Sequence, residues 1–346
     1  MKNITSIILE MLEARPGDEP AVTIIGDLNY DYIYSCPALE CGKEVFISSF
    51  SREIAGAGGY VACGLARLGA SVEILTELGG DADGRALYEE LGHRGIRRGG
   101  TRLIEGKQSP FTLIFSEEAE GKPRQVATLQ GSLADFTLRP GDFESFVSRS
   151  RLLYSCSYFV MPALRAAIGD LFCRARGSGI QTAYDANGGD KWDDAAALRV
   201  LKEDIYPETD FIFLNAAEAC CLTGLRDPAQ AAWAVRPEGS TVVVKRGAQG
   251  LILRTQGRLI SIEAFPLPAR LGDTVGAGDS FQAAFLYFML CGLPPAYCAV
   301  LGAANAASTV LHTGGTAGQL DRSGLADCIS GYQVLDSGDD RILVQG

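Results

Sequence analysis

Short apolar segments alternate with helical patterns through the second half of the chain, and this alternation constrains the fold most. Four apolar runs have the length of a buried strand: Leu152–Ser155, Gln181–Asp185, Phe211–Leu214 and Thr241–Lys245. Helical patterns lie between them, at Ala163–Arg176, Ala195–Ile205 and Ala216–Thr223. Strands that alternate with helices usually form a mostly parallel sheet with helices on both faces. The sequence therefore predicts a three-layer α/β fold.

The first half of the chain predicts a smaller sheet in addition to the large one. Ala21–Ile25 is an apolar run that suits a buried parallel strand. Residues 44–54 and 109–130 have strand patterns without helical spacing, and the second segment divides at a polar turn into Phe111–Ser116 and Arg124–Leu129. We expect these pieces to form a small antiparallel β lid inserted in the main domain.

These patterns also predict the domain boundaries. Residues 20–330 should form the α/β domain, with the lid segments 44–54 and 109–130 inside it. Residues 1–19 contain an amphipathic pattern, which we expect to form a helical extension on the surface. Residues 331–346 are polar, and we expect a loosely attached C-terminal tail.

Charge and composition exclude several classes of partner. The net charge is −11 and the isoelectric point is about 4.8, so a polyanion such as nucleic acid is an unfavourable partner. No run of about 18 apolar residues occurs, so no membrane span is expected. The ten cysteines include no Cys-x-x-Cys pair, which argues against zinc and suits buried thiols in a reducing cytoplasm.

The most telling site motif runs from Leu271 to Phe281. Gly276, Ala277 and Gly278 precede Asp279, and an apolar helical pattern starts at once. Small residues at a helix N-terminus let backbone N–H groups approach an anion. A carboxylate at such a place suits proton abstraction from an alcohol while the amides hold a phosphoryl group. The alternative is a purely structural aspartate that caps the helix.

A second set of polar residues follows the first predicted strand. Asn29 and Asp31 are two residues apart, so their side chains point the same way and suit a pair of sugar hydroxyls. A turn at the strand end is the structural alternative. Gly56 and Ala57 belong to a small-residue segment that would let a substrate lie close to the backbone, with Tyr60 beside it.

These motifs together resemble the signatures of the ribokinase/PfkB family of carbohydrate and nucleoside kinases. The segment at Asp279 resembles the second signature, and Ala55–Gly69 with Thr76–Gly84 resembles the first. The remaining family motifs are matched in order along the chain by Tyr184–Asn187, Asn215–Glu218 and Val242–Gly250. The resemblance covers almost the whole chain and implies a ribokinase-like fold.

The resemblance also implies a role for each matching residue. Asp279 would be the general base and would contact the acceptor, the amides of Gly276, Ala277 and Gly278 would form the anion hole, and Asn29, Asp31, Gly56 and Ala57 would bind the sugar. The nucleotide would meet Asn215, Glu218, Lys245, Gly247, Thr274, Gly278 and Asn305. Mg²⁺ would be held with the help of Glu218, and a monovalent cation such as K⁺ by the carbonyl of Asp273. Tyr60 stands where the family commonly has an Asn that binds the sugar, which opens the identity of the acceptor.

The prediction is therefore an ATP-dependent, Mg²⁺-requiring kinase that phosphorylates a hydroxyl of a sugar-like molecule. We expect a cytoplasmic homodimer that forms through the lid. One alternative is a nucleoside kinase of the same family, because bases stack on aromatic rings such as Tyr60. The others are a catalytically idle sugar-binding regulator and, least favoured, a dinucleotide-binding dehydrogenase, for which the glycine spacing is wrong.

Overall fold

The computed structural model describes residues 1–13, 20–36, 39, 42–117, 125–188, 192, 194–236, 239–268 and 274–346. The α-helices are α1 Thr5–Glu13, α2 Ala57–Leu68, α3 Ala82–His93, α4 Arg165–Gly177, α5 Ala195–Val200, α6 Ala216–Thr223, α7 Pro228–Val235, α8 Ala277–Leu290, α9 Pro295–Thr309 and α10 Arg322–Ser330. The strands are β1 Lys2–Asn3, β2 Ala21–Ile25, β3 Asn29–Cys36, β4 Ser49–Ala55, β5 Ser71–Gly79, β6 Thr101–Ile104, β7 Phe111–Glu117, β8 Gln125–Leu129, β9 Leu152–Cys156, β10 Gln181–Asp185, β11 Phe211–Asn215, β12 Thr241–Lys245, β13 Leu251–Thr255, β14 Arg258–Ile262, β15 Gln333–Asp336 and β16 Arg341–Gln345. Short 3₁₀ and π turns connect some of them.

The large sheet has the order β1-β15-β16-β14-β13-β12-β11-β10-β9-β2-β5-β6 in the described part of the chain. Its central strands, from β12 to β6, are parallel. Successive residues of β2 face opposite cores: Ile24 packs in the core that contains α2, α8 and α9, and Ile25 in the core that contains α4 and α6. This two-sided burial confirms the predicted three-layer α/β fold, and it brings the carboxyl ends of the parallel strands to one edge.

The lid is a separate sheet with the order β4-β3-β7-β8. Its outer pairs are antiparallel, and β3 and β7 run parallel in the middle. Three of its strands lie inside the predicted segments 44–54 and 109–130, while β3 was read only as the polar end of β2. Polar and aromatic residues alternate along β3, which suits a strand with one face over a wet site. The predicted turn between β7 and β8 lies largely outside the described residues.

Both chain termini are more firmly attached than the sequence suggested. The N-terminal helix α1 buries Ile8 and Leu12 in the main core, and Ile4 just before it is buried there too, so this segment is more than a surface addition. The expectation of a loose tail is wrong, because β15 and β16 join the large sheet and bury Val334 and Val344. The tail looks polar because its strands are short and alternate, and the edge of the sheet supplies the backbone partners that make them stable.

The structure also contains helices α7 and α10 and strand β6, which the sequence patterns did not predict. Among the described residues, no helix combines the length and apolar character needed to cross a membrane. Cys36, Cys63, Cys156 and Cys298 are free and buried thiols.

Candidate active site

Helix α8 begins with an uncapped N-terminus that is open to an anion. Gly276 is its N-cap residue, with φ of 70°, and no side chain caps the helix. A methyl group in place of a Gly276 hydrogen would lie 2.6 Å from Cα of Gly315, so both the backbone angle and the space require glycine. The amides of Ala277, Gly278 and Asp279 belong to the first turn, whose N–H groups lack partners within a helix. These amides are thus free of a side-chain cap, and their role in binding a phosphoryl group stays a prediction.

Asp279 lies in that first turn and is half-buried. Its pKa is raised from 3.8 to about 8, mainly by burial. The positive charge of Lys245 lowers the pKa, and the negative charges of Asp185 and Asp27 raise it. Such a carboxyl group has high proton affinity near neutral pH, which is the property of an effective general base. The alternative of a capping aspartate is not met, because Gly276 occupies the N-cap position.

Lys245 is the cation next to the anion loop. Its Nζ donates to Oδ2 of Asp185 at 2.9 Å, and it would lie 3.1 Å from a methyl group placed on Gly278. Burial alone would lower its pKa, but the carboxylates of Asp185 and Glu218 raise it, so the lysine carries its charge. Arg246 instead bonds the carbonyl of Gln249. Of these two neighbouring cations, Lys245 is the one beside the anion loop.

Asp185 is a site residue that sequence reasoning quoted only as part of a motif. It ends β10 and is buried, with Oδ1 accepting from the N–H of Asn187 at 3.0 Å. Its Oδ2 accepts from Lys245 and from Nε2 of Gln282. Gln282 in turn accepts at Oε1 from the hydroxyl of Tyr154 at 2.5 Å. The signal that could have found Asp185 is its place at the carboxyl end of a parallel strand.

Asn215 and Glu218 form a capping box at the start of α6. Oδ1 of Asn215 accepts from the N–H of Glu218 at 2.9 Å, and Oε2 of Glu218 accepts from the N–H of Asn215 at 2.8 Å. The second oxygen of Glu218 accepts from the N–H of Gly188 at 3.1 Å. Burial, and next the charge of Asp185, raise the pKa of Glu218. The pair thus caps α6. Its carboxylate also adds negative charge near Lys245 and the anion loop, here named the phosphate end of the site.

A magnesium ion fits this donor set. Among the described residues, no cluster of three or more His, Cys, Asp or Glu side chains forms a metal cage. Mg²⁺ bound with a nucleotide does not need one, since it keeps several waters and takes phosphate oxygens as ligands. The buried carboxylates of Glu218 and Asp185 repel each other, and a cation between them and a phosphate chain would relieve that repulsion.

The residues predicted to bind the sugar, here named the sugar end of the site, lie on the lid and helix α2. Nδ2 of Asn29 donates to Oδ1 of Asp31 at 2.9 Å, and the hydroxyl of Tyr60 donates to Oδ2 at 3.0 Å. Burial raises the pKa of Asp31 to about 6, against the lowering effect of these bonds. Thr112 and Glu53 face Asp31 from the neighbouring strands. The predicted pair Asn29 and Asp31 thus points the same way, within a row of polar groups across the lid.

The floor between the two ends is made of glycines and a buried acid. Gly56 has φ of 87°, and a methyl group there would lie 2.8 Å from both the carbonyl oxygen of Asp27 and Oδ1 of Asn29. Ala57 follows at the start of α2. Asp27, missed by the sequence analysis, accepts from the N–H of Gly58 at 3.0 Å and from the hydroxyl of Ser157 at 2.6 Å. Gly56 is thus required by a tight joint between the lid and α2, and the contact of Gly56 and Ala57 with a substrate stays a prediction.

A turn at 313–316, also missed from the sequence, touches both ends of the site. The N–H of Gly315 donates to Oε1 of Glu53 in the lid at 3.1 Å. A methyl group on Gly315 would lie 2.3 Å from the ring of Tyr60, and its backbone packs on Gly276 of the anion loop. This contact explains why Tyr60 is only 4% exposed. Its ring is enclosed rather than open to stacking.

The remaining predicted nucleotide residues differ in placement. Thr274 and Gly247 are exposed, and Gly247 opens the short turn after β12. Asn305 is fully buried: Nδ2 donates to the carbonyl of Ser280 and Oδ1 accepts from the N–H of Leu320, both at 2.8 Å. Its amide is therefore used within the protein, in contrast to the predicted contact with a nucleotide. Asp273 lies outside the described residues.

Comparison with known proteins identifies the family. A family model described as pfkB family carbohydrate kinase matches residues 20–322. The chain is 29% identical to a 2-dehydro-3-deoxygluconokinase of Bacillus subtilis over 302 residues, 84% of this chain and 90% of that protein. It is 26% identical to a 5-dehydro-2-deoxygluconokinase of Geobacillus thermodenitrificans, over 77% of this chain and 80% of that protein.

Solved structures show the same fold. Ribokinase of Arabidopsis thaliana, solved with ribose and ATP, superposes with a TM-score of 0.77 at 21% identity, covering 90% of this chain and 99% of that one. A nucleoside kinase of Burkholderia thailandensis, solved with inosine, gives a TM-score of 0.71 at 19% identity, with coverage of 90% and 99%.

The fold and the arrangement of the site define a ribokinase-like phosphotransferase. The match over residues 20–322 makes the chain a member of the pfkB family of carbohydrate kinases, and it is an ATP-dependent carbohydrate kinase.

Proposed function

We propose that the enzyme transfers the γ-phosphoryl group of ATP to a hydroxyl of a sugar, with Asp279 as the general base. The observation that carries this role is the position of Asp279 in the first turn of α8, directly after the Gly276 loop, with its pKa raised to about 8. The acceptor hydroxyl would lie between Asp279 and the row of polar groups on the lid. Its proton passes to the Asp279 carboxylate as its oxygen attacks the phosphorus and the ADP oxygen leaves.

Charge on the transferring group would be stabilised from two directions. The amides of Ala277, Gly278 and Asp279 point at its oxygens from the end of α8, and Lys245 stands beside Gly278. Preorganised donors of this kind need no rearrangement as the reaction proceeds, which makes them effective. Glu218 and Asp185 would hold Mg²⁺ through water, and the ion would supply further positive charge to the phosphates. The carbonyl of Asp273 remains our predicted ligand for K⁺.

For the acceptor we put first a dehydro-deoxygluconate, because the Bacillus and Geobacillus relatives are named as kinases of such compounds. Asn29, Asp31 and Thr112 present an amide, a carboxylate and a hydroxyl to neighbouring hydroxyls of a sugar chain. A nucleoside is less well supported, since Tyr60 is enclosed by Gly315 and has little ring surface left for a base. An idle regulator is disfavoured by the complete set of Asp279, Lys245 and open amides.

We further propose that two copies associate through their lids. The described lid region exposes four large apolar side chains: Phe46 is 79% exposed, Ile47 51%, Phe50 54% and Val126 60%. Apolar groups clustered on one small sheet favour a protein contact. Light scattering should then give twice the mass of the chain, and Phe50→Ser with Val126→Ser should return it to one chain. A monomeric unmodified enzyme at micromolar concentration would rule the contact out.

The base role is tested with Asp279→Asn, which keeps the shape of the side chain and removes its proton affinity. We expect kcat to fall by roughly 10³-fold or more, measured as ADP release on a panel of the two dehydro-deoxygluconates, ribose, fructose and inosine. Folding should not suffer. The pKa of Asp279 lies above its ordinary 3.8 in the folded state, so the group costs stability as pH rises from about 4 to 8, and the Asn variant should melt at the same or a higher temperature at pH 8.

The possible results separate the parts of the proposal. An Asn variant that keeps near-normal turnover would remove Asp279 from the base role. Turnover of ribose or fructose, with none for the sugar acids, would change the acceptor and leave the mechanism in place. Sugar binding without ADP release from any substrate would favour the regulator.

A further inference from the structure

Gln282 lies one turn after Asp279 on the same helix and is fully buried. Both ends of its amide have a partner: Nε2 donates to Oδ2 of Asp185, and Oε1 accepts from the hydroxyl of Tyr154 at 2.5 Å. The hydroxyl has one proton and gives it to the amide oxygen, while an ionised carboxylate can only accept. The orientation of the amide is therefore fixed by its two neighbours.

The chain of bonds continues to the anion loop. Oδ2 of Asp185 accepts from Lys245 at 2.9 Å as well as from Gln282, and Nζ of Lys245 lies against Gly278. The four side chains come from β9, α8, β10 and β12, so the chain of bonds crosses from one side of the site to the other. Burying four polar groups is unfavourable unless each is paired, and here each one is.

We infer that Gln282 and Tyr154 are positioning residues, which hold Asp185 so that Lys245 stays over the anion loop. The inference rests on the proposed function, because Lys245 matters in this way only if the loop binds the terminal phosphate of ATP. Tyr154 and Gln282 do not reach the substrates themselves. They act through Asp185, whose carboxylate would lose one of its two side-chain donors at Oδ2 without Gln282.

The expected consequence follows from the number of donors on Lys245. One of its three N–H bonds points to Asp185, which leaves the others for phosphate oxygens. If Gln282 no longer donates to Asp185, the ammonium group is the remaining side-chain donor at Oδ2, and the carboxylate can turn toward it about its Oδ1 bond to the N–H of Asn187. A small shift of a cation at a phosphoryl-transfer site lowers the rate strongly, since catalysis there depends on position.

The experiment compares Tyr154→Phe and Gln282→Leu with Tyr206→Phe as the control. Tyr206 is as buried as Tyr154, but its hydroxyl has no hydrogen-bond partner among the described residues. We expect Tyr154→Phe to lower kcat by about three- to tenfold and Gln282→Leu by more. Affinity for a non-hydrolysable ATP analogue, measured by calorimetry, should fall more than affinity for ADP, and KM for the sugar should not change. Tyr206→Phe should leave all of these values as they were.

The calorimetric comparison distinguishes positioning from a general loss of order. Equal losses for the ATP analogue, ADP and the sugar would overturn the inference, as would a Tyr154→Phe enzyme that matches the Tyr206→Phe control. The milder Tyr154→Phe variant decides the question if Gln282→Leu does not fold. An inactive Asp279→Asn enzyme beside an unaffected Tyr154→Phe enzyme would end this inference and leave the proposed function standing.

Discussion

The sugar end and the phosphate end of the site are built in different ways. At the sugar end, Asp31 is held by side chains, from Asn29 on the same strand and from Tyr60 on α2. At the phosphate end, the proposed binding groups are backbone amides at the start of α8 and a half-buried lysine paired with Asp185. Side-chain contacts change with single substitutions, whereas the end of a helix does not. We therefore expect the backbone to set the chemistry of transfer and the replaceable side chains to set the choice of acceptor.

The two ends also treat a carboxylate differently. Burial raises the pKa of both acids, but to about 6 for Asp31 and to about 8 for Asp279. Side-chain hydrogen bonds from Tyr60 and Asn29 stabilise the charge on Asp31, whereas Asp279 faces the additional negative charges of Asp185 and Asp27. Asp31 thus keeps its negative charge to a lower pH than Asp279 does.

Among the variants considered, Lys245→Met should separate the phosphate end from the sugar end most clearly in the kinetics. Loss of the cation removes charge stabilisation at the phosphate end, and we expect kcat/KM for ATP to fall by roughly 10²- to 10³-fold. The KM for the sugar should change little, because Asp31 and its partners are untouched. Steady-state kinetics with each substrate varied in turn measures both.

Arg246→Met is the matched control, since this neighbouring cation bonds Gln249 and Ser261 away from the loop. It should keep most of the activity. Removing Lys245 leaves the charge of Asp185 buried and unpaired, which destabilises a protein, so the double variant Lys245→Met with Asp185→Asn provides a folded comparison. Equal losses from the Lys245 and Arg246 variants would contradict the assignment.

A smaller effect is expected in the pH profile. The base must be deprotonated, so kcat/KM of the free enzyme should rise about tenfold per pH unit up to the pKa of Asp279 near 8 and then level off. Below about 6, protonation of Asp31 should make the fall steeper. Tyr60→Phe removes a bond that stabilises the Asp31 anion, so the lower break should move up by roughly half to one pH unit.

The upper break should stay in place in Tyr60→Phe, because it belongs to the other end of the site. A rate that is flat from pH 6 to 9 would contradict the raised pKa of Asp279. A shift of both breaks together would mean that the two ends are not independent, and the turn at Gly315, which touches both, would then be the first place to look.

Much of the fold was predictable because strands and helices leave local patterns. The strands Gln181–Asp185 and Thr241–Lys245 and the helix Ala216–Thr223 have the predicted bounds. The two C-terminal strands were not predictable, since they are short and polar on one face, and only the edge of the existing sheet gives them partners. Strand β3 was missed because its first residues resemble a turn after β2.

The candidate site divides along the same line. Glycines before an acid at a helix start are local signals, so Gly276, Gly278 and Asp279 could be named as an anion site from the sequence. Asn305 was placed at the nucleotide by family resemblance, yet the structure buries it beside Ser280 and Leu320. The sequence does not distinguish an Asn that is buried in the core from one that binds a ligand. Only the packing around the residue does.

The sequence by itself determined the layered α/β architecture, the anion loop and the acid that follows it, because each depends on neighbours within one or two turns of chain. The tertiary structure alone decided that Lys245 pairs with Asp185 across 60 residues, that Tyr154 meets Gln282 across 128 and that Gly315 meets Glu53 across 262. Such contacts join residues far apart in the chain, and no local pattern records which distant groups meet in the folded protein.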